Sequence, residues 1–361
     1  MADVALDSLI DRVRAARADK TPLAITGGGT KAFYGGPVRG TPLDVRPLAG
    51  ISSYEPSELV VTVRAGTPLA TLEAALAEQG QCLPFEPPRF GAASTVGGMV
   101  AAGLAGPARA AVGGVRDYVL GATLLNGKAE ILSFGGQVMK NVAGYDVSRL
   151  LAGSLGVLGV LCEVSLKVLP VPVASATLRF ELDQAAALKQ LNTWGGQPLP
   201  VNASAWWDGM LVLRLSGAAA AVQSARRRLG GEPVDDALAA GFWQGLRDQT
   251  DEFFIGAHKA VEAGATLWRL SVPQTAPALA LPGEQLLEWG GGQRWVVTTA
   301  AAATLREAAT RVGGHASAFR GGAADDAFSP LAAPLLRIHQ GLKDAFDPDR
   351  IFNPGRLYPG L

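Results

Sequence analysis

The stretch from Phe134 to Pro170, FGGQVMKNVAGYDVSRLLAGSLGVLGVLCEVSLKVLP, does most to limit what this chain can become. The apolar run leading into it, Ile131 to Phe134, reads as a strand broken by Gly135-Gly136. Asp146 is placed to N-cap a short helix, its carboxylate accepting free amides of the first turn. Val147, Leu150 and Leu151 recur at helical spacing before Gly153 and Gly156 weaken and stop the helix. From Val160 the period becomes two, with Val160, Cys162, Val164, Leu166 and Val168 on one face and Glu163, Ser165 and Lys167 between them. That alternation predicts a half-buried strand ended by Pro170. Gly156 and Gly159 stand where the helix hands over to the strand. Glycine there supplies positive φ or lets a ligand approach the main chain, and an ordinary tight connection would use it equally.

The same economy of side chains runs through the whole sequence. It has 45 glycines in 361 residues, well above the average of about 7%, with no collagen-like period. Such a length predicts about two domains, and a hydrophobic content of 48% can build a sizeable core. The 32 Lys and Arg balance the 32 Asp and Glu, and no basic block is present to neutralise phosphates, so nucleic acid is not an expected partner. The opening MADVALDSLIDRV carries acids and no apolar core of a leader peptide, and the run Val96 to Gly106 is too short to span a bilayer. Cys82 and Cys162 match no metal spacing, which makes a reducing cytoplasm the expected compartment.

Residues 3 to 17 form an amphipathic helical pattern (Leu6, Leu9, Ile10, Val13, Arg17), followed by a short strand, Leu23 to Thr26. The strand runs into Gly27-Gly28-Gly29-Thr30-Lys31. Gly27 to Ala32 satisfies G-x-G-x-x-A, but Gly35-Gly36-Pro37 forbids the long helix a dinucleotide fingerprint requires. Gly121 to Lys128 fails as a phosphate loop on spacing. A nest of consecutive amides cradling a pyrophosphate, with Thr30 adding a hydroxyl, and a plain glycine turn both remain. In the nest reading the Gly28 amide points at the phosphates, where a β-carbon would obstruct approach or force an unfavourable φ.

Strands are expected near Leu43 to Arg46 and Leu59 to Arg64. Thr67-Pro68 then opens a helix with Thr67 as N-cap and Leu69, Leu72 and Leu76 as its buried stripe, ended by Gly80. Leu83-Pro84-Phe85-Glu86-Pro87-Pro88 is too proline-rich for a regular element. Small residues recur in Ser94-Thr95-Val96-Gly97-Gly98-Met99, in Ala101-Ala102-Gly103 and in Gly114-Val115-Arg116-Asp117-Tyr118-Val119-Leu120-Gly121.

In this order, together with Gly144-Tyr145-Asp146 and Gly156-Val157-Leu158-Gly159, the motifs resemble the FAD-binding domain of the vanillyl-alcohol-oxidase (PCMH-type) family. Phe346-Asp347-Pro348 and Phe352-Asn353-Pro354-Gly355-Arg356 are similar to that family's closing segment. The wording from Phe134 to Asp146 most resembles the smaller flavin (E) subunits of bacterial glycolate oxidases. The resemblance implies an α+β fold: a two-lobed FAD-binding domain over 1–172 (lobes about 1–52 and 53–172), an α+β, ferredoxin-like cap over 173–330, and a segment 331–361 returning to the flavin domain. It implies that Gly27, Gly28, Gly29 and Thr30 hold the pyrophosphate, that Ser94, Thr95, Gly97, Gly98 and Gly103 lie along the flavin and ribityl chain, and that Gly159 and Val160 meet the adenine end. Pro84, Gly114, Asp117 and Asn353 fall in the same motifs and join the expected cofactor-binding set. Relatives with covalent flavin often place a histidine in the early segments; none precedes His258 here, so non-covalent FAD is expected.

After Pro172 the pattern becomes an α+β meander, strand, helix, strand, strand, helix, twice over, with an Asp-Gly hairpin at Trp206 to Leu211. Strands are expected near Leu267 to Val272, Trp295 to Thr299 and His315 to Arg320, and a last helix over Leu331 to Phe346. Oxidising a 2-hydroxy acid needs a hydride acceptor, a base and a cation for the carboxylate. Larger relatives carry H-x-G-D-G-N-x-H in the cap; nothing here matches it, and no metal site is expected. His315, Lys140 and Arg116 are the weak catalytic candidates, each as able to serve structure. The resemblance implies a subunit of a glycolate oxidase or dehydrogenase complex, its flavin accepting or relaying electrons as glycolate becomes glyoxylate, with a larger flavin subunit and an iron–sulfur subunit as partners. Two alternatives stand beside it: a non-catalytic electron-transfer or scaffolding subunit, and a self-sufficient oxidase of another small 2-hydroxy acid. A cytoplasmic location is expected, with any attachment to the inner membrane face made through the complex. The cap carries all seven tryptophans; most read as core, and Trp206-Trp207 as partner-facing unless their strand is covered on both sides.

Overall fold

In a computed structural model, residues 3–136, 146–323 and 326–361 are described. The helix Val4–Asp19 is capped by Asp3, whose carboxylate accepts from the Leu6 amide at 3.2 Å. It buries Leu9, Val13 and Ala16 in a core shared with Leu23, Leu43, Val160, Ile351 and Phe352. The strand Leu23–Thr26 lies where expected and pairs in parallel with Thr41–Asp44. Its outer side is held by the far end of the chain: the Leu23 amide donates to Ile351 O (2.7 Å) and the Asn353 amide to Leu23 O (2.9 Å).

A five-stranded antiparallel sheet follows, in the order Ile51–Glu55, Val60–Arg64, Val160–Lys167, Val119–Leu125, Ile131–Gly135. The helix Leu69–Glu78 packs on it through Leu69, Leu72 and Leu76, all fully buried; each contributes roughly 2 kcal/mol relative to exposure. Thr67 is not its N-cap. The Thr67 hydroxyl donates toward Arg64 O (2.7 Å) and accepts from the Gly50 amide (2.9 Å), so it ties two loops together. The strand from Val160 also departs from simple alternation. Thr123 pairs with Glu163 and Leu124 with Leu161, leaving Cys162 as the extra residue of a bulge. Val160 and Cys162 therefore face the first core, while Leu161, Val164, Leu166 and Val168 face the core of the five-stranded sheet. The strand is buried on both sides rather than one, and burial pushes the Cys162 thiol up to about 12.

Residues 174–320 build one antiparallel sheet of eight strands. Its order is Glu232–Val234, Ala174–Glu181, Met210–Gly217, Val201–Trp207, Glu284–Glu288, Gln293–Thr298, Thr266–Ser271, His315–Arg320. Each half holds its own four strands, and the two join where Ala205 and Trp206 pair with Glu288 and Leu287. The hairpin turns at Asp208 (φ 47°) and Gly209 (φ 78°), as the Asp-Gly pair dictates. The helices Asp236–Asp248 and Glu252–Glu262 cover one face with Trp243, Leu246, Phe253 and Phe254. The helices Gln184–Gly195 and Ala219–Leu229 cover the other face, so the strand of the tryptophan pair is covered on both sides, the condition under which the pair reads as packing rather than as a partner-facing surface. Trp206 donates to Leu182 O (2.7 Å) and Trp207 to Glu284 Oε1 (2.7 Å), each half-buried on its own covered face. The helix Ala333–Phe346 then carries the chain back, with Lys343 as its one fully buried side chain.

Candidate functional site

A cleft of about 900 Å³, open solvent included, runs along the seam where the first helix unit, the five-stranded sheet and the C-terminal segment meet. One wall is Ile25 to Ala32, a second is Ser94, Thr95, Gly97 and Gly98 with Ala101 and Ala102, and a third is Leu155, Gly156, Gly159 and Leu161. Asn353 and Arg356 close it. Of the residues expected to bind cofactor, Gly27, Gly28, Gly29, Thr30, Ser94, Thr95, Gly97, Gly98, Gly159 and Asn353 are thus brought together.

The loop after the first strand has the character of a nest. The amides of Gly28, Gly29, Thr30 and Lys31 donate to no acceptor among the described residues, and four consecutive free donors beside the Thr30, Ser94 and Thr95 side chains suit an anion. Gly29 sits at φ 70°, with open space where a β-carbon would project. Gly28 works differently from expectation: its φ is not in the left-handed region, and a β-carbon there would overlap the Ala93 carbonyl oxygen. Its bareness lets the nest pack against the neighbouring loop. Thr95 caps the helix Val96–Ala102 by accepting from the Gly98 amide (3.2 Å), which fixes the second wall.

Long-range hydrogen bonds set the cleft's shape. Asn353 accepts from the Ile25 amide (2.7 Å) and donates to Leu155 O (2.7 Å), joining two walls through one side chain. Arg356 donates to Ala32 O (3.1 Å), Tyr34 O (2.6 Å) and Gly36 O. Lys343 donates to Val157 O (2.8 Å), Phe352 O (2.9 Å) and Asp347 Oδ2 (2.7 Å). Lys31 lines the cleft with Nζ 2.9 Å from Ser94 Oγ; burial brings its ammonium down to about 8, offset in part by Asp248. The expected cofactor-binding set leaves out Lys31 and Arg356, although Lys31 directly follows the glycine loop; Gly156, read from sequence as a point of close approach to the main chain, does line the cleft.

The remaining candidates lie elsewhere. Pro84 does not line the cleft. Gly103 (φ 63°) ends the helix Val96–Ala102 and packs against Gly153. Asp117 accepts from the Gly114 amide (2.8 Å), an exposed local cap. Val160 points into the core, fully buried. Arg116 is exposed on the turn Val115–Tyr118. His315 stands at the start of an edge strand with much of its surface open to solvent, while partial desolvation of its ring and the nearby Arg269 hold the imidazole below its usual range. Lys140 and the motif Gly144-Tyr145 fall outside the described residues.

Beyond Phe33 and Tyr34 the eight-stranded sheet presents an aromatic wall. Phe33, Phe90 and Phe319 meet edge to face, and Trp295 packs on Phe319 at 4.8 Å. Arg320 stacks 3.3 Å over Phe33, and Arg269 reaches Tyr34 Oη at 3.1 Å. Behind them Glu288 is buried, accepting from Trp295 Nε1 (2.6 Å) and Gln293 Nε2 (2.9 Å), and burial pushes its carboxyl up to about 7. No group of three or more His, Cys, Asp or Glu side chains converges as a metal site among the described residues.

Residues 5–135 match the model of the FAD binding domain. The chain is 51% identical to glycolate oxidase subunit GlcE of Escherichia coli, over 98% of this chain and 97% of that protein. The chain belongs to the GlcE family of glycolate oxidase subunits. Like the GlcE family as a whole, it is a flavoprotein oxidoreductase subunit with an FAD-binding domain. D-lactate dehydrogenase of Anaerostipes hadrus is 32% identical over 46% of this chain and 35% of its own length. Alkyldihydroxyacetonephosphate synthase shares the α+β fold, with a TM-score of 0.65 at 14% identity over 96% of this chain and 74% of that one. Among the described residues no helix is long and apolar enough to cross a membrane.

The cleft fits FAD. Its free amides, hydroxyls and one ammonium suit a pyrophosphate, and Ile25, Val38, Val45 and Leu161 offer apolar surface for flat rings.

Proposed function

We propose that this chain carries non-covalent FAD in a glycolate oxidase complex, its cofactor taking up or passing on the two electrons lost when glycolate becomes glyoxylate. The observation that carries the reading is the run of four unbonded amides, Gly28 to Lys31, in a cleft walled by glycine and alanine. In this assignment Gly27 to Thr30 hold the pyrophosphate, Ser94 to Gly98 flank the ribityl and ring end, and Gly159 lies toward the adenine. Asn353 and Arg356 keep the walls at a fixed spacing. Residues 1–172 and 331–361 form the PCMH-type flavin unit, and 173–330 the cap. Bound FAD supplies the two-electron acceptor. The complex is cytoplasmic, with a larger flavin subunit and an iron–sulfur subunit as this chain's partners.

One observation favours placing the substrate chemistry in a partner. The cap's cations nearest the cleft, Arg269 and Arg320, are stacked on Tyr34, Phe319, Phe33 and Phe90, where they brace the wall instead of projecting toward a carboxylate. Anaerobic mixing with glycolate decides between the readings. The purified chain bleaches slowly by itself and rapidly once the other subunits are added. Fast, complete bleaching by the chain alone would restore a self-sufficient oxidase. Acid precipitation releases all of the flavin as FAD; flavin left on the pellet would contradict non-covalent binding.

A further inference from the structure

Two cations, Lys31 and Arg356, line the cleft. Arg356 is committed to three carbonyls of the 32–36 loop. Lys31 is held by Ser94 Oγ (2.9 Å), Arg89 O (3.3 Å) and Thr30 Oγ1 (3.4 Å), and no carboxylate pairs with it among the described residues. An ammonium taken largely out of water with only neutral acceptors is costly, and such a charge is retained where a ligand completes its pairing.

We propose that Lys31 is the counter-ion of the FAD pyrophosphate, poised beside the free Gly28–Lys31 amides to neutralise a diphosphate that, among the described residues lining the cleft, no other cation is free to meet. The assignment rests on the cofactor reading above and adds the residue that gives the nest its net charge. Backbone amides contribute partial charges only, whereas a charge-assisted hydrogen bond to phosphate is roughly twice as strong as a neutral one. The surroundings suit a cation that waits for its partner. Asp248, on the helix Asp236–Asp248, acts on Lys31 from a distance while bonded to Arg247 (2.6 Å) and to the Arg89 amide (2.8 Å). Arg89 pairs with Glu73, and Arg320 lies on the same Phe90 ring as Lys31, 5.4 and 5.6 Å from its centroid.

A pH signature follows. Burial leaves the free ammonium titrating near 8. A bound diphosphate favours the charged form and raises that value, so above pH 8 binding takes up a proton and FAD affinity falls.

The test uses flavin-stripped full-length protein and measures FAD and riboflavin affinity by flavin fluorescence. Lys31→Met weakens FAD by about 10- to 100-fold, the range expected for one charged hydrogen bond, and leaves riboflavin, which has no phosphate, within about twofold. Lys31→Arg retains most FAD affinity and shows none of the loss above pH 8. In the unaltered protein the loss above pH 8 needs no variant to be seen, and Lys31→Met abolishes it. Unchanged FAD affinity in Lys31→Met, equal loss of FAD and riboflavin, or a flat pH profile in the unaltered protein would each overturn the assignment. If the unaltered protein bound no FAD, the cofactor reading would fall and this proposal with it.

Discussion

The two surfaces that meet near Phe33 follow opposite plans. Around the cleft the walls are main chain and short side chains, Gly27 to Thr30, Gly97-Gly98, Gly156 and Gly159, with the free amides confined to Gly28 to Lys31. On the side of the eight-stranded sheet the wall is made of large side chains, Phe319, Trp295, Arg269 and Arg320, interlocked with Phe33 and Phe90 ring on ring and cation on ring. A run of free amides can donate to an extended anion, but a β-carbon at Gly28 or Gly97 would collide with neighbouring main chain. A surface of packed side chains is stiff and apolar, and single changes there are absorbed as ordinary cavities. The difference teaches that the two surfaces answer substitution in opposite ways, by collision on one side and by cavity on the other.

The sharpest way to break this contrast is Gly28→Val. The new side chain would drive the nest away from Ala93, and FAD affinity should fall by at least about 100-fold while the eight-stranded sheet stays folded. Flavin titration with far-ultraviolet circular dichroism checks both halves; undiminished binding would show that the loop does not need its close approach. Lys343→Met comes next. It removes one member of a pair whose two side chains are essentially unexposed, and should cost about 3 kcal/mol in chemical denaturation. Because Lys343 also holds Val157 O, flavin release should come at lower denaturant than unfolding of the cap. A single shared shift of both transitions would mean that the helix Ala333–Phe346 stabilises the molecule as a whole.

The smallest effect belongs to the cap. The Glu288 carboxyl, pushed up to about 7 by burial, holds a proton in the folded state that the unfolded chain releases near 4.5. Between those values the folded form binds more protons, so this group's contribution to stability is greatest below pH 4.5 and is lost as pH rises toward 7. Glu288→Gln should remove that decline and leave FAD affinity unchanged. A difference in stability between variant and unaltered protein that stays constant from pH 5 to 7 would show that Glu288 titrates normally.

Local signals carried the sequence reading a long way. The strands Leu23–Thr26 and His315–Arg320, the Asp-Gly hairpin and the buried stripe Leu69, Leu72 and Leu76 are all written in neighbouring residues. The helix Val96–Ala102 was hidden by Gly97 and Gly98, poor helix formers; the closeness of Ala65 makes the first necessary, and the second sits against the capping Thr95 hydroxyl. The helices Asp236–Asp248 and Glu252–Glu262 had legible caps, Asp235 and Asp251, yet interior glycines obscured their stripes. The Cys162 bulge was illegible because it is a property of pairing with a strand some forty residues earlier. Arg356 and Asn353 reveal their work only once residues 320 or more positions apart have met.

That separation has a consequence for biosynthesis. The glycine loop and the strand before it leave the ribosome some 320 residues ahead of the side chains that lock them, Asn353 and Arg356. At about 5–20 residues per second the loop waits on the order of tens of seconds for its clasp. A growing polypeptide therefore presents this loop unclasped until residue 356 has emerged.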